Sequence, residues 1–415
     1  SQLLGLDFQV FTCFEAFRAF YGPKIIYCNE KAFKGAIQIP VQGLLFENDI
    51  RPQNPKVSYF EGLPCFFQVS VPGGDLPFDL FSMVFYLISR YEEYLPGRRD
   101  HFGRFPAEES LAHQSGFLQM PLINYWALRL GGMLSKRAGL PAFQPTAKYA
   151  FLPTYDIDHA WAFLHKGLTR AIAGTLKDLA RLDLNGLKTR FRVYAGREKD
   201  PFYTFDFLDQ LTQRYDLRPI FFFLLAKWSK YDTNNSLQSP DFRQLIERLS
   251  GQFPVGIHPS FRSNVEADYL KTEIQNLEKI TRRPVVRSRQ HYLILHMPQT
   301  YRRLIQQGIR EDYSMGFADQ TGFRASIAHP FFWFDLPKNQ PTPLKIFPFQ
   351  VMDVTLNHYL KHTPEQALEQ VRPLIQHCRQ VGGIFCTLWH NSSFTEKPPW
   401  ENQRHLYTQI IKIAL

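Results

Sequence analysis

"LPTYDIDHAW", residues 152–161, decides how this chain is read. An apolar approach ends in two aspartates one residue apart, Asp156 and Asp158, with His159 beside them. Residues two apart on a strand share a face, so both carboxylates turn toward one cavity. One carboxylate of such a pair can hold a divalent cation through oxygen while the other stays free as a general base. Aspartate also caps turns at strand ends, and taken alone the pair reads as nothing more than that.

The surroundings change the weight. From residue 149 onward, strand-like runs alternate with amphipathic helices. "YAFLPTYD" (149–156), "RPIFFFLLA" (218–226), "FPVGIHPSF" (253–261), "VVRSRQHYLIL" (285–295), "DYSMGF" (312–317) and "GIFCTLWH" (383–390) predict strands. Between them, "FDFLDQLTQRYD", "FRQLIERLS", residues 265–281, "TYRRLIQQG" and residues 364–382 predict helices. Leu270, Ile274, Leu277 and Ile280 form one helical stripe, and Leu368, Val371, Ile375 and Cys378 another. The alternation predicts parallel β/α units, and its repetition predicts a barrel with catalytic groups at the carboxyl ends of the strands. Asp156 and Asp158, His258, Arg289 with His291, and His390 each fall at the end of a different predicted strand.

Residues 1–145 lack that rhythm. Short strands ("KIIYC", "AIQIPV", "KVSYF", "CFFQVSV") precede two helices, "PFDLFSMVFYLISRYEEYL" and "PLINYWALRLGGMLSKRAG". The prolines of "LPAFQPTAKYA" mark a boundary near 145. The chain therefore divides into a smaller α+β domain, 1–145, and an α/β barrel domain, 146–415. Arg90, Glu92 and Glu93 of "LISRYEEYL" read as an ion-paired solvated face or a domain-interface network, and the N-terminal domain as a packing or substrate-positioning module.

Composition bounds the partners. The chain has 415 residues with 44% hydrophobic and 15% aromatic content, enough for large cores. A formal charge of +10 favours anionic surroundings, but the basic residues are scattered and no nucleic-acid motif is present, so no nucleic-acid partner is expected. Five cysteines without CxxC spacing read as reduced thiols. The longest apolar run, "IFFFLLA", is far short of the roughly 20 residues of a membrane span. Without a charged-then-apolar N-terminal pattern, the expected location is cytoplasmic. Oligomeric state is not legible.

Each candidate residue has a chemical use. His258, after an apolar strand and before a Pro-Ser turn, is placed to give a nitrogen to a metal. His390 can protonate a leaving group. Arg289 can orient a carboxylate, and His291, of matching parity on the same predicted strand, can add a ligand.

"TYDID", then "HPS", then an Arg-containing strand, then "TLWH" resembles, in order, the motifs of the polysaccharide deacetylases, the NodB-homology carbohydrate esterases. "SRQHYL", "EDYSMGF" and "GFRAS" resemble a bacterial subgroup with an extra N-terminal domain carrying "LISRYEEYL" and "HFGRF". Over residues 149–400 the resemblance implies a distorted (β/α) barrel, a divalent cation (zinc, with cobalt, nickel or manganese as substitutes), and removal of acetyl groups from N-acetylated or O-acetylated sugars of a glycan. It implies Asp156 as catalytic base, Asp158 and His258 as metal ligands, His390 as general acid and Arg289 as the residue holding the base.

Two positions depart from the pattern. Arg262 stands where a second metal histidine is expected, and His159 replaces a glycine. Asp158 and His258 alone leave the metal short of the usual three protein ligands, so His291, or else His159, is expected to complete the set. Arg262 pointing inward would repel a cation; it either turns outward or clamps an anionic substrate group. Two rivals follow: a degenerate barrel that binds a glycan without catalysis, and a glycoside hydrolase. The second needs carboxyl groups about 5–10 Å apart across a glycosidic bond, which Asp156 and Asp158 are badly placed to supply.

Overall fold

A computed structural model describes residues 3–30, 33–72, 74–144, 147–180 and 182–415. In the N-terminal part, β1 (Lys24–Tyr27) runs parallel to β2 (Ala36–Ile39), and β3 (Ser58–Phe60) pairs antiparallel with β4 (Leu63–Cys65). Two helices, Leu80–Ile88 and Leu122–Ala138, pack over them around Trp126, whose indole N–H donates to the Pro64 carbonyl at 2.8 Å. The expected strand "CFFQVSV" contributes only Cys65 to β4 and a single bridge between Gln68 and Phe78. The anticipated boundary at 145 falls on Pro145 and Thr146, outside the described residues.

The remaining strands form one nine-stranded sheet. They are β5 (Ala150–Ile157), β6 (Ile220–Phe223), β7 (Val255–Ile257), β8 (Arg287–Ser288), β9 (Glu311–Asp312), β10 (Phe331–Asp335), β11 (Gln340–Ile346), β12 (Val351–Met352) and β13 (Ile384–His390). Their order is β10-β11-β9-β8-β7-β6-β5-β13-β12. Every neighbouring pair is parallel except the β10–β11 hairpin. The mixed α/β class with a parallel sheet, expected from the alternation of strands and helices, is what forms. Parallel strands are covered on both faces and so read as continuous apolar runs; "IFFF" of β6 is wholly buried. Gly256 in β7 lies so close to its neighbours that a Cβ would stand 2.6 Å from the Phe222 ring and 2.8 Å from the Arg287 carbonyl oxygen. No larger residue fits between those strands.

The two ends of the strand order share one continuous stretch of chain. β11 pairs with β9, and β12, five residues further on, pairs with β13. Between them Phe347 N donates to the Asp312 carbonyl (2.8 Å), Phe349 N to that of Met315 (3.1 Å) and Gln350 N to that of Cys386 (3.1 Å). Covering helices start where their caps dictate. Ser239 accepts from Phe242 N ahead of Pro240–Gln252, and Thr363 with Gln366 forms a capping box ahead of Pro364–Gln380. Leu270, Ile274, Leu277 and Ile280 are buried on Ala267–Thr281, as their spacing predicts. One apolar cluster runs from Ile37 through the sheet to Ala414, so both parts of the chain share it.

Two expected elements are shorter than their sequence suggested. The run 285–295 pairs as a strand only at Arg287–Ser288, and then turns through Tyr292 and Leu293 at φ 57° and 56°. "LISRYEEYL" is not one helix: Arg90 at φ 55° breaks it. The break drives Arg90 inward, where its Nε donates to Glu93 Oε1 at 2.7 Å. Arg324, from the far side of the sheet's connections, grips the same carboxylate with Nη2 to Oε2 at 2.7 Å and Nε to Oε1 at 2.9 Å. All three are buried, so this is a network joining the two parts and not a solvated face. No helix among the described residues is long and apolar enough to cross a membrane, and all five cysteines are free.

Burial pushes the Glu93 carboxyl up, but the charges of Arg324 and Arg90 outweigh it and hold it at about 2, against 4.5 ordinarily. A carboxyl lowered on folding stabilises above its unfolded pKa. That contribution should be complete above about pH 4.5 and disappear as pH falls toward 2, seen as a declining urea midpoint. Glu93→Ala should cost about 3–5 kcal/mol at neutral pH, because it strands two buried guanidinium groups.

Candidate metal centre and active site

The parallel register brings the polar residues to one end of the sheet. Asp156 lies in β5 opposite His390 of β13 and Phe222 of β6, and Asp158 follows just past the strand end. His258 comes directly after β7, its backbone N–H donating to the Phe223 carbonyl at 2.9 Å. Beyond β8 the backbone still leans on its neighbour: Arg289 N donates to the Ile257 carbonyl (3.0 Å) and His291 N to that of Pro259 (3.1 Å). Arg289 and His291 therefore reach the cavity from a loop stitched to the β7 loop, and not by the strand parity that predicted them.

Asp158, His258 and His291 converge, with one candidate ligand atom from each within 4.8 Å of the others. His258 Nε2 lies 3.2 Å from Asp158 Oδ1, and His291 Nε2 lies 3.6 Å from Asp158 Oδ2. The far nitrogen of each imidazole is committed. His258 Nδ1 donates to the Arg289 carbonyl at 2.5 Å, and His291 Nδ1 to Asp232 Oδ1 at 2.9 Å. A carbonyl or carboxylate only accepts, so each Nδ1 carries the proton and each Nε2 can offer its lone pair to the cavity. Asp158 Oδ1 is buried and accepts no hydrogen bond. Two imidazole nitrogens and a carboxylate oxygen facing one another are the donors a divalent cation takes, so the residues fit one.

Asp156 stands beside this group and outside it. Its Oδ1 lies 3.4 Å from Arg289 Nη1, and its Oδ2 is 3.7 Å from His258 Nε2. Arg289 is wholly buried, its Nε donating to the Tyr313 carbonyl (2.9 Å) and its plane resting over the Phe222 ring. His390 faces Asp158 from the other side, Nε2 to Oδ2 at 3.8 Å, while its Nδ1 donates to Asp353 Oδ1 at 2.9 Å.

The charges depend on one another. Burial raises the Asp158 carboxyl, but the His291 charge above all, with its contacts to His258 and His390, holds it well below the usual range. Burial lowers His291, yet the Asp158 charge 3.6 Å away and the hydrogen bond to Asp232 carry it up to about 9, so a cation taking Nε2 would displace a proton from it. Burial pushes His390 down, but Asp353, Asp158 and Asp156 together outweigh it and raise it to about 10. It carries a proton at neutral pH.

Arg262 and His159 lie apart from the cluster. Arg262 turns outward, Nε to Glu266 Oε1 at 2.8 Å and its guanidinium 4.3 Å from the Tyr269 ring centre. His159 Nε2 is 3.0 Å from Thr233 Oγ1 and is not among the converging ligands. Two carboxylates that hold these imidazoles escaped the sequence reading. Asp353 ends the apolar run "FQVMD", which is the same strand-end signal as Asp156. Asp232 sits in the loop "SKYDTNN", which has no periodicity to mark it.

Residues 1–139 match the model of a family described as a family of unknown function (DUF7033). No curated protein matches the chain. Among solved structures it is similar to a protein of Mycobacterium smegmatis assigned as a polysaccharide deacetylase, with 13% identity over 65% of this chain and 85% of that one and a TM-score of 0.42. The polysaccharide deacetylase Bc1974 from Bacillus cereus gives 12% identity, 63% and 85% coverage and a TM-score of 0.32. BA3943, a CE4 family pseudoenzyme from Bacillus anthracis, gives 11%, 64% and 61%, and 0.28. With TM-scores this low the likenesses assign nothing to this chain, and the site stands on its own geometry.

That geometry separates two histidine-pattern positions. His291→Ala should lower zinc affinity by at least about tenfold, as read by competition with a chromophoric chelator, because it removes a ligand. Arg262→Ala should leave zinc affinity unchanged.

Proposed function

We propose that this chain is a metal-dependent hydrolase that removes acetyl groups from the N-acetylated or O-acetylated sugars of a glycan. The observation that carries the reading is the convergence of Asp158, His258 and His291 beside a separate carboxylate, Asp156, and an imidazole, His390, anchored by Asp353. In this reading the sheet and its bridging segment 340–352 form the distorted (β/α) barrel, residues 146–415 are the catalytic domain, and residues 1–145 are its accessory. Zinc is the proposed metal, with cobalt, nickel or manganese as substitutes.

A divalent cation held by Asp158, His258 and His291 would polarise the acyl carbonyl and lower the pKa of water. The other residues divide the proton work. Asp156, gripped by Arg289, is oriented to take a proton from the attacking water, and its separation from the ligand set keeps an oxygen free to do so. His390 holds a proton on Nε2 through the pull of Asp353 on its opposite nitrogen, and hands it to the departing nitrogen or oxygen of the sugar. A separate base and acid at one site suit acyl transfer better than glycosidic cleavage, because Asp156 and Asp158 lie on the same strand end and are badly placed to straddle a glycosidic bond. The degenerate-barrel rival drew its support from Arg262, which instead pairs with Glu266 at the surface.

The test is acetate release from chitooligosaccharides, peptidoglycan fragments and acetylated polysaccharides, after chelation and with zinc, cobalt, nickel or manganese restored. Metal-dependent acetate release is expected; release of new reducing ends without acetate would overturn the reading. Asp156→Asn should lower turnover by about 10²–10⁴-fold while leaving the metal bound.

A further inference from the structure

We infer that the N-terminal segment Asp100–Phe105 is part of the active centre: Arg104 positions the loop that carries His291, and Phe102 adds an aromatic surface for a neighbouring sugar ring. The inference rests on the metal site proposed above and extends it to a part of the chain for which that reading has no chemical role.

Of the three converging ligands, His291 stands on the least regular backbone. Asp158 and His258 each follow directly on a strand, whereas His291 is three residues past β8 and is followed by Tyr292 and Leu293, both in the left-handed region. That conformation is costly for non-glycine residues and persists only when the surroundings hold it. Arg104 supplies a hold. Its Nη1 donates to the Tyr292 carbonyl at 3.0 Å and its Nη2 to the Tyr359 hydroxyl at 2.8 Å, while its Nε is fixed to Asp100 Oδ2 at 2.7 Å. Asp100 in turn shapes the segment, its Oδ1 accepting from Phe102 N and Arg104 N, both at 2.9 Å. Arg104 is buried, with its donors directed by a preformed turn, so it acts as a rigid fork and not as a loose surface cation.

The same segment reaches the rim of the cavity. The Phe102 ring centre is 4.7 Å from that of Tyr292, whose ring is 4.4 Å from that of His291. Tyr231 and Phe261 complete the cluster, stacked on each other at 4.2 Å, and each lies beside a support of the ligands: Tyr231 precedes Asp232, and Phe261 N donates to Asp232 Oδ1 at 2.8 Å. All four rings are partly exposed. Ring faces carry partial negative charge and suit the C–H face of a pyranose, and this cluster lies next to the ligand set, where the residue adjoining an acetylated sugar would lie.

The experiment uses the full chain. Arg104→Ala should raise the Kd for zinc by about 10–100-fold, measured by chelator competition, with Arg104→Lys restoring part of the loss. A purely structural role would lower the Tm of the metal-free protein and leave the zinc Kd of the folded fraction unchanged, and that result overturns the inference. Phe102→Ala should raise KM for an acetylated oligosaccharide several-fold more than it raises KM for a small acetyl ester; the same change for both substrates, or none, would remove Phe102 from the proposal. Zinc binding by wild-type protein that Arg104→Ala leaves intact defeats the inference alone. Wild-type protein that binds no divalent cation defeats it together with the reading beneath it.

Discussion

A carboxylate placed among three imidazoles, at the end of a parallel sheet, is the constraint the rest of this structure answers to. Asp158, partly exposed but with Oδ1 fully buried, could not stand there as an isolated charge without a desolvation cost. It is surrounded instead by His258, His291 and His390, each held by a carbonyl or carboxylate on its opposite nitrogen. Those holders are themselves committed: Asp232 accepts from Phe261 N and Asp353 from His390 N. The charge at the centre is thus distributed outward through two layers of oriented hydrogen bonds, a rigidity that a floppy ion pair could not provide.

The parallel sheet makes that arrangement available. Its strands, β10 excepted, point their carboxyl ends one way, so residues far apart in sequence meet in register: Asp156 beside His390, Phe223 beside Ile257, Ile257 beside Ser288. The buried phenylalanines of β6 and the glycine of β7 keep these strands close, and the stretch 340–352 leans on β9 at one end and β13 at the other. Precision at the site is a property of this scaffold more than of any one loop.

Much of the scaffold was legible from periodicity. β5, β6 and β13 and the helices Ala267–Thr281 and Pro364–Gln380 carry the patterns that their burial demands, and the aspartates and His390 fall at strand ends that the pattern marks. What escaped has physical causes. β8, β9 and β12 pair over two residues each, too few for any period to show. Arg90 is buried because its left-handed backbone turns it onto Glu93 and the Arg324 carbonyl, and hydropathy reads such a charged residue as surface. Arg262 is invisible in a different way: whether a guanidinium faces inward depends on Glu266 and Tyr269, four and seven residues on, not on its own position in a motif. His291 was placed at the cavity by strand parity, but it arrives there through a turn that breaks that parity.

The source of the third ligand has a structural consequence. Two histidines four residues apart in one loop would depend only on the internal shape of that loop. His258 and His291 come instead from consecutive loops of the sheet, so their separation depends on how the two loops lie against each other. The cross-links lie where that demand predicts them. Asp232 bonds at once to His291 and to the backbone of the His258 loop at Phe261, Arg289 presents its carbonyl to His258 from within the His291 loop, and Arg104 secures the outer side of the same loop at Tyr292. With Arg262 exposed and paired to Glu266, the converging imidazoles come from two loops, and the bracing at 291 is what fixes their spacing.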